Sequence, residues 1–267
     1  MRNRQPSSAR ALRKFVIMEL DTRLYNLFLA HAQHVRIEIL SLGLGYTAVT
    51  TSDGGIGLSY TYFDNKKSCM ALNRHMDYEG QTADRLLEKI KSDNAVERSM
   101  ALALVNALNY QDALNLPVDD DNSIMFEKFS IGQNRRVAMV GYFPPLVRIF
   151  EEMGVALEIL DSSRGFGKKD EFYSKLKNWA QVLLLTSTSV LNKSTEEILV
   201  QAGKKLKSIM LGPSTPMVAD AFEHLPVHML AGTVPLDKDQ TLKAIRHGMG
   251  TPVLHKFSRK VFLDIGF

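Results

Sequence analysis

Leu20, Leu24, Leu27 and Phe28 recur at helical spacing, so an amphipathic helix is expected from Glu19 to about Gln33. Val35 to Leu40 alternates apolar and polar residues, as a half-buried strand does. Tyr46–Thr51 and Ile56–Phe63 are rich in β-branched and aromatic residues, which suit strands. They flank Ser52-Asp53-Gly54-Gly55, and Asp-Gly signals a tight hairpin because such turns need positive φ. Helices are expected over Thr82–Lys91, with Leu86, Leu87 and Ile90 inward, and over Ala95–Leu108, with Val96, Met100, Leu104 and Leu108 inward. The N-terminal part therefore reads as a small α+β unit.

Leu116 to Gln133 breaks the pattern. It holds Pro117 and the acidic run Asp119-Asp120-Asp121, and it reads as a solvated linker. A calcium loop needs spaced ligands and a glycine turn, which this run lacks. Beyond it the pattern becomes strand–helix alternation. Strands are expected at Arg136–Val140, Ala156–Leu160, Val182–Leu185, Ser208–Leu211, His228–Ala231 and Val261–Ile265. Helices are expected between them at Pro145–Met153, Glu171–Trp179, Ser194–Ala202, Pro216–Leu225 and Lys238–Arg246. Short apolar runs alternating with helices make βα units around a mostly parallel sheet. The fold class is thus α/β: a Rossmann-like C-terminal sheet with a smaller N-terminal α+β domain. The expected boundaries are a basic tail over 1–17, the N-terminal domain over 18–115, a linker over 116–134 and the α/β domain over 135–267.

Composition changes this picture little. The 267 residues are 45% hydrophobic and 23% charged, an ordinary balance for a chain with a real core. The net charge of +4 hints at nucleic acid until it is located. Arg2, Arg4, Arg10, Arg13 and Lys14 precede the first acid, Glu19, and without them the rest is close to neutral. Nucleic acid is therefore disfavoured as a partner. The tail suits a disordered leader, a misjudged start ahead of Met18, or a short targeting segment. A secretory h-region and a spanning apolar run are both lacking, so no membrane is expected. Cys69 is the only cysteine, which forbids an intrachain disulfide and favours a cytoplasmic location.

In an open parallel sheet, ligands bind beyond the carboxyl ends of the strands. The loops expected there are Gly141-Tyr142-Phe143-Pro144-Pro145, Asp161-Ser162-Ser163-Arg164, Thr186-Ser187-Thr188-Ser189 with Asn192 behind, Gly212-Pro213-Ser214-Thr215-Pro216, and Gly232-Thr233. Each carries small or hydroxylated residues. Any one of them is an ordinary helix cap, but five on one edge point to a site. The fourth is the most distinctive, a stiff turn expected to present Ser214 and Thr215. A dinucleotide site wants Gly-x-Gly-x-x-Gly, and here Gly141 stands alone before bulky residues. Asp161 stands where a ribose-binding acid would, although it equally suits a turn cap. The Walker loop and the nucleophile elbow are missing too. Arg164, Lys168 and Lys169 flank Gly165 and Gly167, a solvated loop or one that closes over an anion. Histidines at 31, 34, 75, 224, 228, 247 and 255 show no zinc spacing, and His31 and His34 have no acid beside them.

Taken together, the Val140–Pro144 turn, the Thr186–Asn192 segment, the Gly212–Pro216 turn and the late Gly248-Met249-Gly250-Thr251 resemble the "putative heavy-metal chelation" family, formerly a domain of unknown function. The resemblance runs from about Leu20 to the C-terminus. Met249 departs from the more glycine-rich late motif of that family. The resemblance implies an enolase-N-terminal-like domain joined to a Rossmann-like domain, with the site where they meet. It also points to the Gly55–Tyr60 strand and Asn106.

Three functional readings result. The first is a small-ligand or metal-complex binding protein with its site between the domains. In it Gly141, Tyr142 and Phe143 form one wall, and Gly212, Pro213, Ser214 and Thr215 the other. Thr188 and Asn192 orient the ligand, Asp161 accepts or ligates, and Thr186 and Gly232 complete the ligand-binding set. The second is a nucleotide- or cofactor-dependent transferase or oxidoreductase working on the Rossmann face. The third is an interaction module whose loops are only caps. Whether the protein is an enzyme, holds a metal ion or forms a homo-oligomer stays open at this level.

Overall fold

The computed structural model describes residues 19–63 and 76–266. The basic tail, Cys69 and His75 lie outside the described residues. The N-terminal part begins with α1 (Glu19–Ala32) and an antiparallel sheet of β1 (Ile37–Leu42), β2 (Tyr46–Thr51) and β3 (Ile56–Tyr60) in that order. Next come α2 (Asp84–Leu87), a 3₁₀ turn (Glu88–Lys91), α3 (Ala95–Leu108), α4 (Tyr110–Leu114) and α5 (Ser123–Lys128).

The second part comprises β4 (Arg136–Val140), α6 (Pro144–Glu152), β5 (Ala156–Leu160), α7 (Lys169–Asn178), β6 (Val182–Thr186), α8 (Thr188–Leu191), α9 (Thr195–Leu199) and β7 (Lys207–Leu211). A 3₁₀ turn (Ala219–Phe222), β8 (Met229–Pro235), α10 (Lys238–Arg246), α11 (Thr251–Leu254), a 3₁₀ turn (His255–Phe257) and β9 (Ser258–Asp264) complete it. Its sheet has the order β5-β4-β6-β7-β8-β9, parallel except for antiparallel β9. The mixed α/β class read from the pattern is the class observed.

Both faces of the large sheet are covered. Ala138, Leu183, Leu185 and Met210 face a core that also holds Leu24, Val49, Leu86 and most of α3. Val137, Met139, Val182, Leu184 and Ile209 face a second core with Phe129, Leu146 and Phe150. Strands buried on both sides read as unbroken apolar runs, and so Val182–Leu185 was legible without alternation.

The small sheet is sandwiched as well. α3 packs on one face, and Asn94 starts that helix by accepting from the N–H groups of Val96 (2.9 Å) and Glu97 (3.3 Å). A Cβ on Gly57 would lie 2.1 Å from the Ala103 carbonyl oxygen and 2.2 Å from the Ala107 nitrogen, so only glycine lets strand and helix meet this closely. α10 and α11 cover the other face, where Leu242, Ile245 and Leu254 join Tyr46, Ala48 and Leu58 in a third core. Two covered faces explain why every residue of β2 is buried.

Several expectations need correcting. The Leu116–Gln133 acids are solvated only in part: Asp120 and Asp121 are exposed, but Asp119 is not. Asp119 is buried and caps α5, accepting from Ile124 N–H (3.2 Å) and Met125 N–H (3.0 Å). Asp120 accepts from Lys260 N–H, and Phe262 N–H donates to Pro117 O. The segment thereby extends the β9 edge, while Phe129 and Ile131 enter the second core. Pro216–Leu225 forms only the 3₁₀ turn Ala219–Phe222, because Asn109 Nδ2 holds the Met217 carbonyl at 2.9 Å and draws the chain into an extended path. The first strand starts two residues later than the pattern suggests. β3 stops at Tyr60, and Tyr62 N–H bonds Ser99 Oγ on α3 instead of another strand. His31 does have an acid: Asp53 of the hairpin lies 2.9 Å from its Nε2.

Candidate functional site

The chain leaves β4 toward β5 on one side and returns to β6 on the other. In open parallel sheets a ligand crevice falls beyond the carboxyl ends at such a switch of strand order, here those of β4 and β6. Gly141 ends β4 with φ +87°, and a Cβ there would lie 2.9 Å from Thr186 Cβ on β6. Glycine therefore brings the two loops together. Thr186 and Thr188 are half-buried, and their hydroxyl oxygens lie 3.0 Å apart. On β7, Gly212 takes φ +132°, and a Cβ there would lie 2.6 Å from Ser187 Oγ. The three loops form one continuous floor, from Gly141 through Thr186 and Ser187 to Gly212.

The wall on the β5 side is held by Asp161. Its carboxylate accepts from Tyr142 N–H (3.0 Å), Ser163 N–H (3.1 Å) and Oγ (2.6 Å), and Arg164 N–H (3.2 Å). Tyr142 stacks on Phe166 at 4.8 Å, and the Arg164 guanidinium lies 5.3 Å over the same Tyr142 ring. Asp161 positions this wall with both oxygens engaged. Arg164, with a half-exposed side chain 3.9 Å from Asp161, brings positive charge to the mouth.

The N-terminal part reaches the same edge through β3. Tyr60 N–H donates to Ser214 Oγ at 2.7 Å. Asn106 Nδ2 bonds both the Leu58 carbonyl (2.8 Å) and the Ser214 carbonyl (3.4 Å), tying α3, β3 and the β7 turn together. The Tyr60 ring is 40% exposed and lies edge-on between Tyr46 (5.9 Å) and Tyr62 (6.4 Å). Tyr46 OH in turn meets Thr251 Oγ1 at 2.6 Å, which places the late glycine motif behind this aromatic rim.

The predicted residues divide sharply. Gly141, Tyr142, Phe143, Thr186, Thr188, Gly212 and Pro213 lie at the edge and are partly exposed. Ser214 and Thr215 turn inward and are buried, Thr215 Oγ1 donating to Gly212 O at 2.8 Å. Asn192 is exposed, and its Oδ1 accepts from Ser194 N–H and Oγ as a turn cap. Gly232 lies within β8, which runs on to Pro235, and a Cβ there would meet Met217 Sδ at 2.6 Å. The family resemblance pointed to the Gly55–Tyr60 strand without singling out the Tyr60 ring, and sequence reasoning missed Tyr62. Their signal was two aromatics at the exit of a strand, flanking the buried Thr61.

The fold and crevice define an α/β protein with a Rossmann-like, mostly parallel sheet, roofed by a three-stranded antiparallel sheet. Two family models match, over residues 25–109 and 125–264, and both carry the description "Putative heavy-metal chelation". The chain belongs to that family. It is 20% identical to an uncharacterised protein of Methanocaldococcus jannaschii, across 94% of this chain and 98% of that one. A protein of unknown function from the family in Pyrococcus horikoshii shares the fold with a TM-score of 0.76 and 20% identity, covering 92% of this chain and 99% of that one. A family member of unknown function from Desulfitobacterium hafniense gives 0.71 and 19%, covering 90% and 97%.

The family description raises the question of a metal. Among the described residues, no three His, Cys, Asp or Glu side chains are grouped so that they could hold one. The groups at the crevice are hydroxyls, aromatic rings, one guanidinium and a single carboxylate, Asp161, whose oxygens are already engaged, and these do not fit a centre for a bare ion. Among the same residues, no helix is long and apolar enough to cross a membrane.

Proposed function

We propose that this protein binds a small, oxygen-rich anionic ligand, or a metal already wrapped in such a ligand, in the crevice between the two sheets. The observation that carries this reading is the convergence at the switch point. Gly141 and Gly212, both at positive φ, bring three strand ends together, and β3 is fastened to the same edge through Tyr60 and Ser214. Thr186 and Thr188 offer hydroxyl donors, the Arg164 guanidinium supplies positive charge, and the partly exposed Tyr60 offers a ring to a flat ligand. A chelate presents oxygens outward, so these groups can hold it without ligating the metal.

The test is a thermal-shift screen with free metals, chelated metals, nucleotides and pterin-like compounds. It compares the parent with Thr186→Val/Thr188→Val, which removes two hydroxyls and keeps their shape. Anionic or chelated hits are expected to lose most of their shift in the variant. If every hit kept its full shift, the assignment to this crevice would be wrong.

A further inference from the structure

At the opposite, amino-terminal edge of the large sheet lies a cleft of 480 Å³, lined among others by Arg135, Arg136, Lys177, Trp179, Lys204 and Lys205. Arg136 opens β4, Lys177 and Trp179 end α7, and the two lysines form the turn before β7. Gly203 lets that turn press on the helix end, since a Cβ there would lie 2.5 Å from the Lys177 carbonyl oxygen.

The charge in this cleft is unmatched. Several other cations of this part of the chain have partners, although Arg148 and Lys207 have none among the described residues. Lys168 pairs with Glu171, Lys169 with Glu197 and Lys193 with Asp21. Lys175, in the same last turn as Lys177, pairs with Glu158. None of the five cationic side chains of the cleft has a hydrogen-bond or ion-pair partner among the described residues. The Arg135 Nε–H is buried as well as unpartnered. A helix carboxyl end favours Lys177 through its dipole, but that leaves the two arginines and the lysine pair unexplained. Five like charges facing one concavity, with no carboxylate lining it, fit a ligand that brings several negative charges.

We infer that this cleft binds a small molecule carrying two or more phosphates, of about nucleotide size. The cavity volume lies in the range of about 300–1,000 Å³ usual for small-ligand sites. Arginine and lysine donors suit phosphate oxygens, and the half-buried Trp179 indole offers a face to a planar ring. A tract of nucleic acid would instead want a longer stripe of charge with several aromatic platforms, and Trp179 is the only aromatic side chain lining this cleft.

Trp179 is also the only tryptophan of the chain, so fluorescence excited at the red edge, where tyrosine does not absorb, reports on this cleft. The full-length protein would be titrated at low salt with inorganic tripolyphosphate, with ATP and with a short single-stranded RNA. A saturable change with tripolyphosphate is expected, with tighter binding of ATP if the ring contributes. The dissociation constant should rise at least tenfold in Lys204→Glu/Lys205→Glu. Both lysines are exposed, so the melting temperature of that variant should match the parent, and Lys204→Ala/Lys205→Ala gives a milder second check. Absence of any saturable change with both phosphate compounds up to millimolar concentration would overturn the inference. So would equal affinity in the charge-reversed variant, or RNA binding more tightly than either small molecule. Thr186→Val/Thr188→Val should leave this titration unchanged, which separates the cleft from the crevice at the carboxyl edge.

Discussion

Two turns at the same sheet edge, both small and polar and each pressed against a glycine, have opposite fates. After β7, Gly212–Thr215 faces the N-terminal sheet, and its Ser and Thr hydroxyls are buried in hydrogen bonds to β3 and to the turn itself. After β6, Thr186–Thr188 faces the crevice, and its two threonine hydroxyls bond mainly each other. Local sequence makes these turns near twins. What differs is the surface across from each. A polar loop becomes a seam when a strand end needs a partner, and stays available for a ligand when nothing docks on it. The contrast can be broken or sharpened by substitution, because seam residues should control stability and crevice residues should control binding.

The largest effect is expected at Gly57. Any side chain there meets the backbone of α3 at 2.1–2.2 Å, and backbone cannot give way as a flexible side chain can. Gly57→Ala should cost about 4 kcal/mol or more, through overpacking and backbone displacement, or abolish folding. A Cβ added at Gly45 would meet nothing within 4 Å, so Gly45→Ala serves as the quiet control. Urea unfolding of the two variants gives the comparison. Equal midpoints would show that the sheet–helix contact is loose.

Next is Asp21, in the seam where α1 meets α9. Burial pushes its carboxyl up to about 6 from 3.8, and Glu196 adds to the rise, while Lys193, Arg98 and Lys91 oppose it. The folded state therefore holds this proton more tightly than the unfolded chain. The stabilisation that comes with the proton is complete below about pH 4 and is lost as pH rises through 6. Asp21→Asn mimics the protonated form. At pH 8 it should be more stable than the parent by about 2–3 kcal/mol, taking about 1.4 kcal/mol per pH unit. The gap should close toward pH 4. Melting temperatures across that range test this, and a gap that widened on acidification would reverse the sign of the argument.

Ser214→Ala follows. It removes the acceptor of Tyr60 N–H at a buried junction, and an unpaired buried donor costs about 1–3 kcal/mol. Chemical denaturation should show the loss, and Ser214→Thr should recover part of it if the pocket admits a methyl group. No loss would mean that the junction is wet, and the seam would then be a far weaker contrast to the crevice.

Much of this architecture was legible in the chain. Ala95–Leu108, Arg136–Val140, Ala156–Leu160 and Lys238–Arg246 have the limits that their patterns predict. Their apolar periodicity, and caps such as Asn94 and Asp237, are local signals. The misses share one cause, which is contact with residues outside the local pattern. Asn109 draws the Met217 carbonyl and prevents a helix after Pro216. Asp119 looked solvated because α5, which it caps, was not anticipated. β2 has both faces covered because α10 and α11, nearly two hundred residues later, pack over it. The proposed location of the site follows a topological rule, so the strand–helix alternation was enough to name the loops at that edge. Which hydroxyls face outward could not be read that way, because that depends on what docks opposite.

The smallest stability effect is expected where the binding effect is largest. In Thr186→Val/Thr188→Val the methyl group of residue 186 that packs beside Gly141 remains, and the lost hydroxyls bond mainly each other and the Thr188 N–H. Because both partners of the main hydrogen bond are replaced together by groups of the same shape, no buried donor is stranded between them. Both positions are half-buried, so water can reach what is left. The double variant should therefore unfold within about 0.5 kcal/mol of the parent, the range usual for substitutions away from packed features. Urea midpoints measure this directly. A loss as large as that in Ser214→Ala would mean that the β6 turn is also a seam, and that the ligand contacts must be sought along Tyr142, Arg164 and Tyr60 instead.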